Sequence, residues 1–377
     1  MKPLSNIMKH MKNVVIVFFI FFHLSCNREK SFLIEAQILG IGDSTMMMLQ
    51  NLSSGEYIDS SIVINSEFIF KGRLVDEPVE LRIITSIEEI KMGKLYYTDL
   101  LIKNENVKIR ADVNDLPLNV SSSGSPTQKK AEIYRKQLHL WNLKLDSLKN
   151  RLHSYSDSTS ISEKIKQKII EVKKARDNWN ENYLINNFNT YFALLMYNYR
   201  RDFSNRLLDS LFTNLPTELK NSEFGKSIQI QIEYPKLNNG DLFYDFEGVN
   251  QDDEEFNLSS ITDKYILLQF AGTGCYGSNL SVKKMVELHA IYNDSIAFVS
   301  AFFDPPKDFK QYVVEHSISW TCIWTSNGKY GIPPSKYHIT GTPTFYLISP
   351  NKTILKSWFG YEEGIIEKNI RTLLYID

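Results

Sequence analysis

One cysteine, placed between a strand-like run and a helical run, constrains this sequence more than any other feature. The run Tyr265–Phe270 is short and largely apolar, which is typical of a buried β-strand. After Cys275, apolar residues recur at helical spacing from Val282 to Tyr292. We therefore expect Cys275 at the N-terminus of a helix, where free N–H groups and the helix dipole favour a negative charge. A thiolate in such a place has a lowered pKa, and the thiolate is the reactive form of cysteine.

Two motifs resemble the thioredoxin-like envelope proteins of the TlpA/ResA type, which are related to the AhpC/TSA group. The first is the strand end Phe270–Ala271 followed by Cys275, in register with the family's Phe-Trp-Ala and Trp-Cys-x-x-Cys. The second is Tyr337–Ile348, which is similar to the segment around the family's cis-proline, with Pro343 as the proline. The resemblance covers residues 237–377 and implies a thioredoxin-like α/β domain in which that proline packs against the cysteine.

The sequence departs from this family at the active site itself. Ser278 occupies the position of the second cysteine, Gly274 that of the tryptophan, and Gln269 that of an acid which some thioredoxins bury. A Cys-x-x-Cys enzyme attacks with one thiol and releases the mixed disulfide with the other. Three alternatives stay open: a monothiol that an outside thiol resolves, a pair formed by Cys275 and Cys322, or a domain that keeps the fold for binding alone.

The resemblance indicates most of the candidate site residues. Cys275 and Ser278 are the candidate catalytic residues. Cys322 is the candidate resolving cysteine because it is the other cysteine left outside the targeting segment. The candidate substrate-binding residues are those beside the cysteine and around the proline: Tyr276, Gly277, Thr342 and Pro343. The partners expected are client proteins or small thiols that carry disulfides, together with an external thiol reductant. Thiol:disulfide exchange is the favoured function, and a redox-inactive binding or scaffold lipoprotein is the alternative.

Other classes of protein find no support in the sequence. The peroxiredoxin pattern Pro-x-x-x-Thr/Ser-x-x-Cys fails, because Leu268 and Gly272 stand at the first two positions. A metal site needs ligands at short spacings, whereas His289 and His316 each stand alone on a helical pattern. We therefore expect neither a metal nor another cofactor. The formal net charge of −1 indicates no basic surface for nucleic acid.

Residues 1–26 are typical of a secretory signal. An apolar run from Val14 to Phe22 follows three lysines, Lys2, Lys9 and Lys12. Leu24–Cys26 then resembles a lipobox, so we expect Cys26 to be acylated and to anchor the protein to a membrane. The predicted location is the periplasmic side of the cell envelope, at the outer membrane. A plain signal peptide or a short anchor is the alternative.

The remaining chain is predicted to be a multidomain α+β protein. Residues 31–117 alternate apolar and polar residues between turn signals, which predicts an antiparallel, sandwich-like β domain. This region resembles a β-rich domain of unknown function that precedes thioredoxin modules in Bacteroidetes envelope proteins. Residues 118–126 have the composition of a linker, and 127–235 are predicted to be helical with a long hairpin. The thioredoxin-like domain occupies 237–377.

Overall fold

The structure is a computed structural model in which part of the chain can be described. The described residues are 30–155, 160–304, 306–325 and 328–374. The predicted signal segment, residues 1–26 with Cys26, lies outside them. Within the described ranges, no helix has the length and apolar character needed to cross a membrane. The residues from Ser31 onward form one compact unit.

The N-terminal region consists of two four-stranded sheets that share one core. Its strands are β1 Phe32–Leu39, β2 Met46–Asn51, β3 Tyr57–Ile62, β4 Glu67–Gly72, β5 Val79–Thr85, β6 Tyr97–Ile102, β7 Asn106–Asp112 and β8 Ser121–Ser123. A short helix, α1 (Ile87–Lys91), precedes β6. The sheet orders are β4-β1-β7-β8 and β3-β2-β5-β6. Side chains alternate between buried and half-buried along β1, as the sequence pattern predicted, and Ile34 packs in the same core as Leu81 of β5.

Two details differ from the prediction of an antiparallel domain followed by a linker. β1 and β7 run parallel, because the strands between them provide a connection long enough for a parallel crossover. Ser121–Ser123 form β8 and pair with β7, since backbone pairing does not require apolar side chains. Gly124 follows with a φ of +93°, and a Cβ there would lie 2.0 Å from the Asn106 carbonyl oxygen. Only glycine allows this close approach.

The middle region is helical. Its helices are α2 Pro126–His153, α3 Ser160–Asn186, α4 Tyr191–Arg200, α5 Asn205–Thr213, α6 Thr217–Asn221 and α7 Glu223–Glu233. Ser125 begins α2 by accepting a hydrogen bond from the Gln128 N–H at 3.1 Å. α2 and α3 form the predicted hairpin, in which Leu145 packs against Ile165 and Ile169.

The C-terminal region has the mixed sheet predicted for a thioredoxin-like domain. Its strands are β9 Glu247–Asn250, β10 Glu255–Asn257, β11 Tyr265–Ala271, β12 Ile296–Phe302, β13 Thr321–Trp324, β14 Thr344–Ile348 and β15 Ile354–Phe359. Its helices are α8 Tyr276–Tyr292, α9 Pro306–Glu315, α10 Ile332–Lys336 and α11 Ile365–Leu374. The sheet order is β10-β9-β13-β12-β11-β14-β15, with β11, β12 and β13 parallel. The predicted fold class is confirmed.

Each face of this sheet has its own core. On one face, α8, α9 and α11 contribute Met285, Phe309 and Ile366 to a single cluster. On the other face, Phe270 of β11 packs against Tyr337, at the end of α10, with ring centroids 5.2 Å apart. Because β11 is buried on both faces, its residues are apolar almost throughout, which is why the strand was recognisable in the sequence.

A buried polar cluster joins the three regions. Glu80 on β5 is 2 % exposed. Its Oε2 accepts hydrogen bonds from the Tyr199 hydroxyl of α4 at 2.6 Å and from Lys329 Nζ at 3.1 Å. Lys329 Nζ also contacts the Tyr199 hydroxyl. Lys329 precedes α10, so this cluster ties the β domain and the helical region to the thioredoxin-like domain.

Candidate functional site

Cys275 lies at the N-cap of α8, directly after β11. Its backbone is extended, with φ of −88° and ψ of 118°, and its carbonyl oxygen accepts the first helical hydrogen bond from Asn279 N–H at 3.0 Å. The side chain is half-buried. Its thiol donates to the Thr342 carbonyl oxygen at 3.2 Å. The sulfur therefore lies between the start of the helix and the segment that precedes β14.

Hydrogen bonds to the sulfur favour the thiolate. Burial alone would raise the pKa of Cys275, but hydrogen bonds from the Thr342 side chain, from the N–H and hydroxyl of Ser278 and from the Gly277 N–H lower it below the usual value. Ser278 is fully buried, and its hydroxyl also accepts from the Gly272 N–H at 3.3 Å. The residue at the position of the second cysteine thus stabilises the charge of the first.

Pro343 packs against the beginning of α8. The Thr342–Pro343 peptide bond is cis, and a Cβ on Gly277 would lie 3.1 Å from Cδ of Pro343. Glycine at 277 thus allows the proline to approach the helix beside the thiol. Tyr276 is 77 % exposed, so an aromatic surface lies next to Cys275. The structure brings together the candidate residues Cys275 to Ser278, Thr342 and Pro343.

Cys322 is separate from this group. It lies in β13, where it pairs with Ser300 of β12, and Ser300 in turn pairs with Gln269 of β11. Cys322 is thus level with the interior of the sheet and not with the strand ends, where Cys275 lies. Cys322 is fully buried. Cys275 and Cys322 are both free thiols. Burial raises the pKa of Cys322 well above its usual value, which makes it a weak nucleophile.

A neutral hydrogen-bonded chain runs beneath the site. Gln269 accepts from the Ser300 hydroxyl at 2.9 Å and donates to the Ser281 hydroxyl at 2.8 Å. Ser281 donates in turn to the Ser278 carbonyl oxygen at 2.8 Å. The Trp320 indole N–H donates to Ser300 at 3.0 Å. Buried amide and hydroxyl groups are satisfied in this way without a charge, and the chain connects the sheet interior to the first turn of α8.

Asp304 is a polar residue of the site that our sequence analysis did not identify. It follows β12, and its carboxylate accepts from the Thr273 N–H and the Thr273 hydroxyl, each at 2.8 Å. These bonds hold the turn that leads from β11 to Cys275. Burial raises the pKa of Asp304, although the bonds from Thr273 oppose this effect. Its position directly after a buried parallel strand was the available signal, because such strand ends meet at one edge of the sheet.

Metal-binding residues are not part of this arrangement. In the part of the chain that the structure describes, no group of three or more His, Cys, Asp or Glu side chains is placed to hold a metal ion. The chemistry available to the site is that of a half-buried thiol with a lowered pKa, beside a proline and an exposed aromatic ring. These features define a thioredoxin-like domain in which one cysteine lies at the N-cap of α8.

One family model matches the N-terminal region of the chain. Residues 32–131 match the family model DUF4369, described as a domain of unknown function. The match agrees with the resemblance noted for the β-rich region, and it extends into α2. A search of curated proteins finds no match to this chain.

Solved structures similar to this chain come from several bacteria. A protein described as thiol:disulfide interchange protein DsbE from Chlorobium tepidum is 22 % identical, with a TM-score of 0.35, over 37 % of this chain and 98 % of its own. A thiol-disulfide oxidoreductase from Bacteroides fragilis is 21 % identical, with a TM-score of 0.33, over 35 % and 100 %. The peroxidoxin BcpB from Mycobacterium tuberculosis is 16 % identical, with a TM-score of 0.34, over 37 % and 99 %.

Proposed function

We propose that this protein carries out thiol:disulfide exchange in the cell envelope through Cys275 alone. The observation that supports the proposal is the position of this thiol at the start of α8, where Gly277, Ser278 and Thr342 hydrogen-bond to the sulfur and lower its pKa. Ser278 replaces the local resolving thiol, and Cys322 is buried inside the sheet. An external thiol is therefore the proposed resolving group.

The exchange takes place in two steps that conserve electrons. In the first, the Cys275 thiolate attacks one sulfur of a client disulfide, a mixed disulfide forms, and the other client sulfur leaves as a thiolate. In the second, the thiolate of a small thiol or another protein attacks the mixed disulfide and releases Cys275 as a thiolate. The N–H groups of Gly277 and Ser278 stabilise the negative charge whenever it lies on the Cys275 sulfur.

The client is proposed to bind as an extended segment beside Thr342 and Pro343. The backbone around Thr342 is the proposed edge for this pairing, and its support is position: the Thr342 carbonyl oxygen lies 3.2 Å from the Cys275 sulfur. Exposed aromatic rings flank this edge: Tyr276 is 77 % exposed and Phe359 is 69 % exposed. Phe359 lies over Gly341, since a Cβ there would approach its ring to 2.8 Å. These rings offer apolar contacts to client side chains next to the disulfide.

The reactivity of Cys275 tests this function. In protein carrying Cys26→Ser and Cys322→Ser, we expect the rate of alkylation by iodoacetamide to rise with pH and to level off below the pH at which free cysteine does so. The sign follows from the lowered pKa, because the thiolate is already present at lower pH. The same protein with the further substitution Cys275→Ser gives the background rate of alkylation. A thiol that does not react, or that titrates like free cysteine, would instead favour the alternative of a redox-inactive binding protein.

Membrane anchoring through Cys26 belongs to the same proposal, and its support is the lipobox-like Leu24–Cys26. When the protein is produced in bacterial cells fed an alkyne-labelled fatty acid, we expect the label to be incorporated into the chain. Cys26→Ser should abolish incorporation and leave the protein in the soluble fraction, whereas Cys275→Ser should change neither result. Equal labelling of the Cys26→Ser protein would refute acylation at this residue.

A further inference from the structure

A cleft of about 850 Å³ lies where the β domain, α7 and the thioredoxin-like domain meet. Its walls come from the turn between β2 and β3, from α7 and from the segments that follow β12 and β13. Phe303, Trp324 and Tyr330 give it aromatic surface. Gly328 brings two walls together, because a Cβ there would lie 2.1 Å from the Ser53 carbonyl oxygen. A volume of this size accommodates a small ligand or part of a peptide segment.

The cleft lies at the same edge of the sheet as Cys275. Because β11, β12 and β13 run parallel, their carboxyl ends meet at one edge. Cys275 follows β11, Phe303 follows β12 and Trp324 ends β13. Adjacent strands are about 4.8 Å apart, so the end of β13, which lies in the cleft wall, is roughly 10 Å from the end of β11, which leads to Cys275. Pro343 lies on the opposite side of the cysteine, since it precedes β14. An extended segment that passes from Pro343 over Cys275 therefore continues towards the cleft.

The charges of the cleft are predominantly negative. Its lining has one lysine, Lys226, and four carboxylates: Glu56, Glu77, Glu223 and Glu233. Among the residues that the structure describes, none of these four carboxylates forms an ion pair. Lys329, a half-buried lysine nearby, is bonded to Glu80 instead. As far as the described ranges extend, the cleft thus combines aromatic walls with carboxylates that form no ion pair.

Two of these carboxylates lie close together. The Glu223 N–H donates to Glu77 Oε2 at 3.3 Å, and the Ser53 hydroxyl donates to Glu223 Oε2 at 3.2 Å. Burial raises the pKa of Glu223 to about 7; the charges of Glu77 and Glu80 reinforce this effect, while Ser53 and Lys329 oppose it. A positive charge placed between Glu77 and Glu223 would relieve their repulsion and stabilise Glu223 as a carboxylate.

We propose that this cleft binds a lysine or arginine side chain of the client protein, within the extended segment whose disulfide Cys275 attacks. The proposal rests on the thiol:disulfide exchange proposed above and adds a preference for basic clients. The aliphatic stem of the basic side chain would pack along Trp324, whose face also attracts its charge. The carboxylates would bind the cationic end, and an acidic segment would be repelled.

The test uses three model clients and the full-length protein with Cys322→Ser. Each client is a peptide with one central cysteine, bound as a mixed disulfide to 5-thio-2-nitrobenzoate. The residues around the cysteine are lysines in the first peptide, glutamines in the second and glutamates in the third. Attack by Cys275 on the peptide sulfur releases the coloured thionitrobenzoate. Each rate is divided by the rate of the same peptide with 2-mercaptoethanol, which removes differences in intrinsic reactivity.

We expect the lysine peptide to react about tenfold faster than the glutamine peptide, which corresponds to about 1.4 kcal/mol, and the glutamate peptide to react slowest. In the Glu77→Gln/Glu223→Gln protein, the ratio of the lysine rate to the glutamine rate should fall towards one. Asp209→Asn is the matched control, because Asp209 is an exposed carboxylate outside the cleft, and it should keep the ratio. Added salt should reduce the ratio in the unmodified cleft.

The outcomes separate this proposal from the proposed function. Equal rates for the lysine and glutamine peptides, with release that Cys275→Ser abolishes, would refute the cleft proposal and leave thiol exchange intact. If no peptide reacts faster with the protein that contains Cys275 than with its Cys275→Ser variant, the proposed function fails. The cleft is then tested by fluorescence anisotropy with a labelled lysine peptide that has alanine for cysteine. Binding lost in Glu77→Gln/Glu223→Gln would support the cleft, and binding unchanged by these substitutions would refute it.

Discussion

Ser278→Cys is expected to shorten the lifetime of the mixed disulfide between Cys275 and a client by about a hundredfold or more at millimolar external thiol. The Ser278 hydroxyl already hydrogen-bonds to the Cys275 sulfur, so a sulfur in its place lies within reach of the mixed disulfide. Residues three apart on a helix are neighbours, at a Cα separation that a disulfide can bridge. Release then becomes an intramolecular step and no longer depends on an outside thiol.

This lifetime can be measured by forming the mixed disulfide, quenching samples in acid at intervals, and separating the species on a non-reducing gel. All proteins carry Cys26→Ser and Cys322→Ser, so that Ser278→Cys adds the only other thiol. Ser281→Cys is the matched control, because Ser281 is also buried on α8 but hydrogen-bonds to Gln269 and the Ser278 carbonyl oxygen. We expect it to leave release dependent on external thiol. An unchanged lifetime in the Ser278→Cys protein would show that the site is not arranged for exchange.

Lys329→Met is expected to lower the free energy of unfolding by about 3 kcal/mol or more. Glu80 is 2 % exposed, and without the lysine its carboxylate would remain buried with no cation. The Tyr199 hydroxyl would still donate to it, which keeps the loss near the lower end of the range for broken buried pairs. Urea unfolding followed by tryptophan fluorescence measures the change.

Two comparisons isolate the effect of burial. Lys149 and Asp146 form an exposed ion pair at 3.0 Å, with side chains 50 % and 58 % exposed, so Lys149→Met should change stability by less than about 1 kcal/mol. Addition of Glu80→Gln to Lys329→Met should restore part of the lost stability, because it removes the unpaired charge. If Lys329→Met were no more destabilising than Lys149→Met, the buried cluster would not hold the domains together.

Local sequence patterns were sufficient for the centre of the candidate site. The apolar run of β11 and the helical spacing after it indicated where a strand ends and a helix begins, and this placed Cys275 at the N-cap of α8. Both features depend on neighbouring residues, which is why the sequence carries them. The segment around Pro343 was recognised from its motif, and the structure places it beside Gly277. The three regions of the fold were predicted for the same reason, since each has its own periodicity.

Local sequence patterns could not predict the contacts between distant parts of the chain. Glu80 and Lys329 are 249 residues apart, and nothing in the neighbourhood of either residue indicates the other. The hydrogen bonds from Thr273 to Asp304 depend on β11 and β12 lying side by side. Ser121–Ser123 had the composition of a linker, and only the position of β7 beside them makes them a strand. The cleft exists because three regions meet, so no single segment predicted it.

Tyr330 lies in the wall of the cleft, next to Lys329 in the chain, and Lys329 is bonded to Glu80. These contacts hold the wall that contains Tyr330 against the β domain. An extended chain advances about 3.3 Å per residue, so the roughly 10 Å between the ends of β11 and β13 corresponds to about three residues. A client would then be distinguished by the number of residues between its cysteine and its nearest lysine or arginine. Two clients of identical composition but different order would be treated differently.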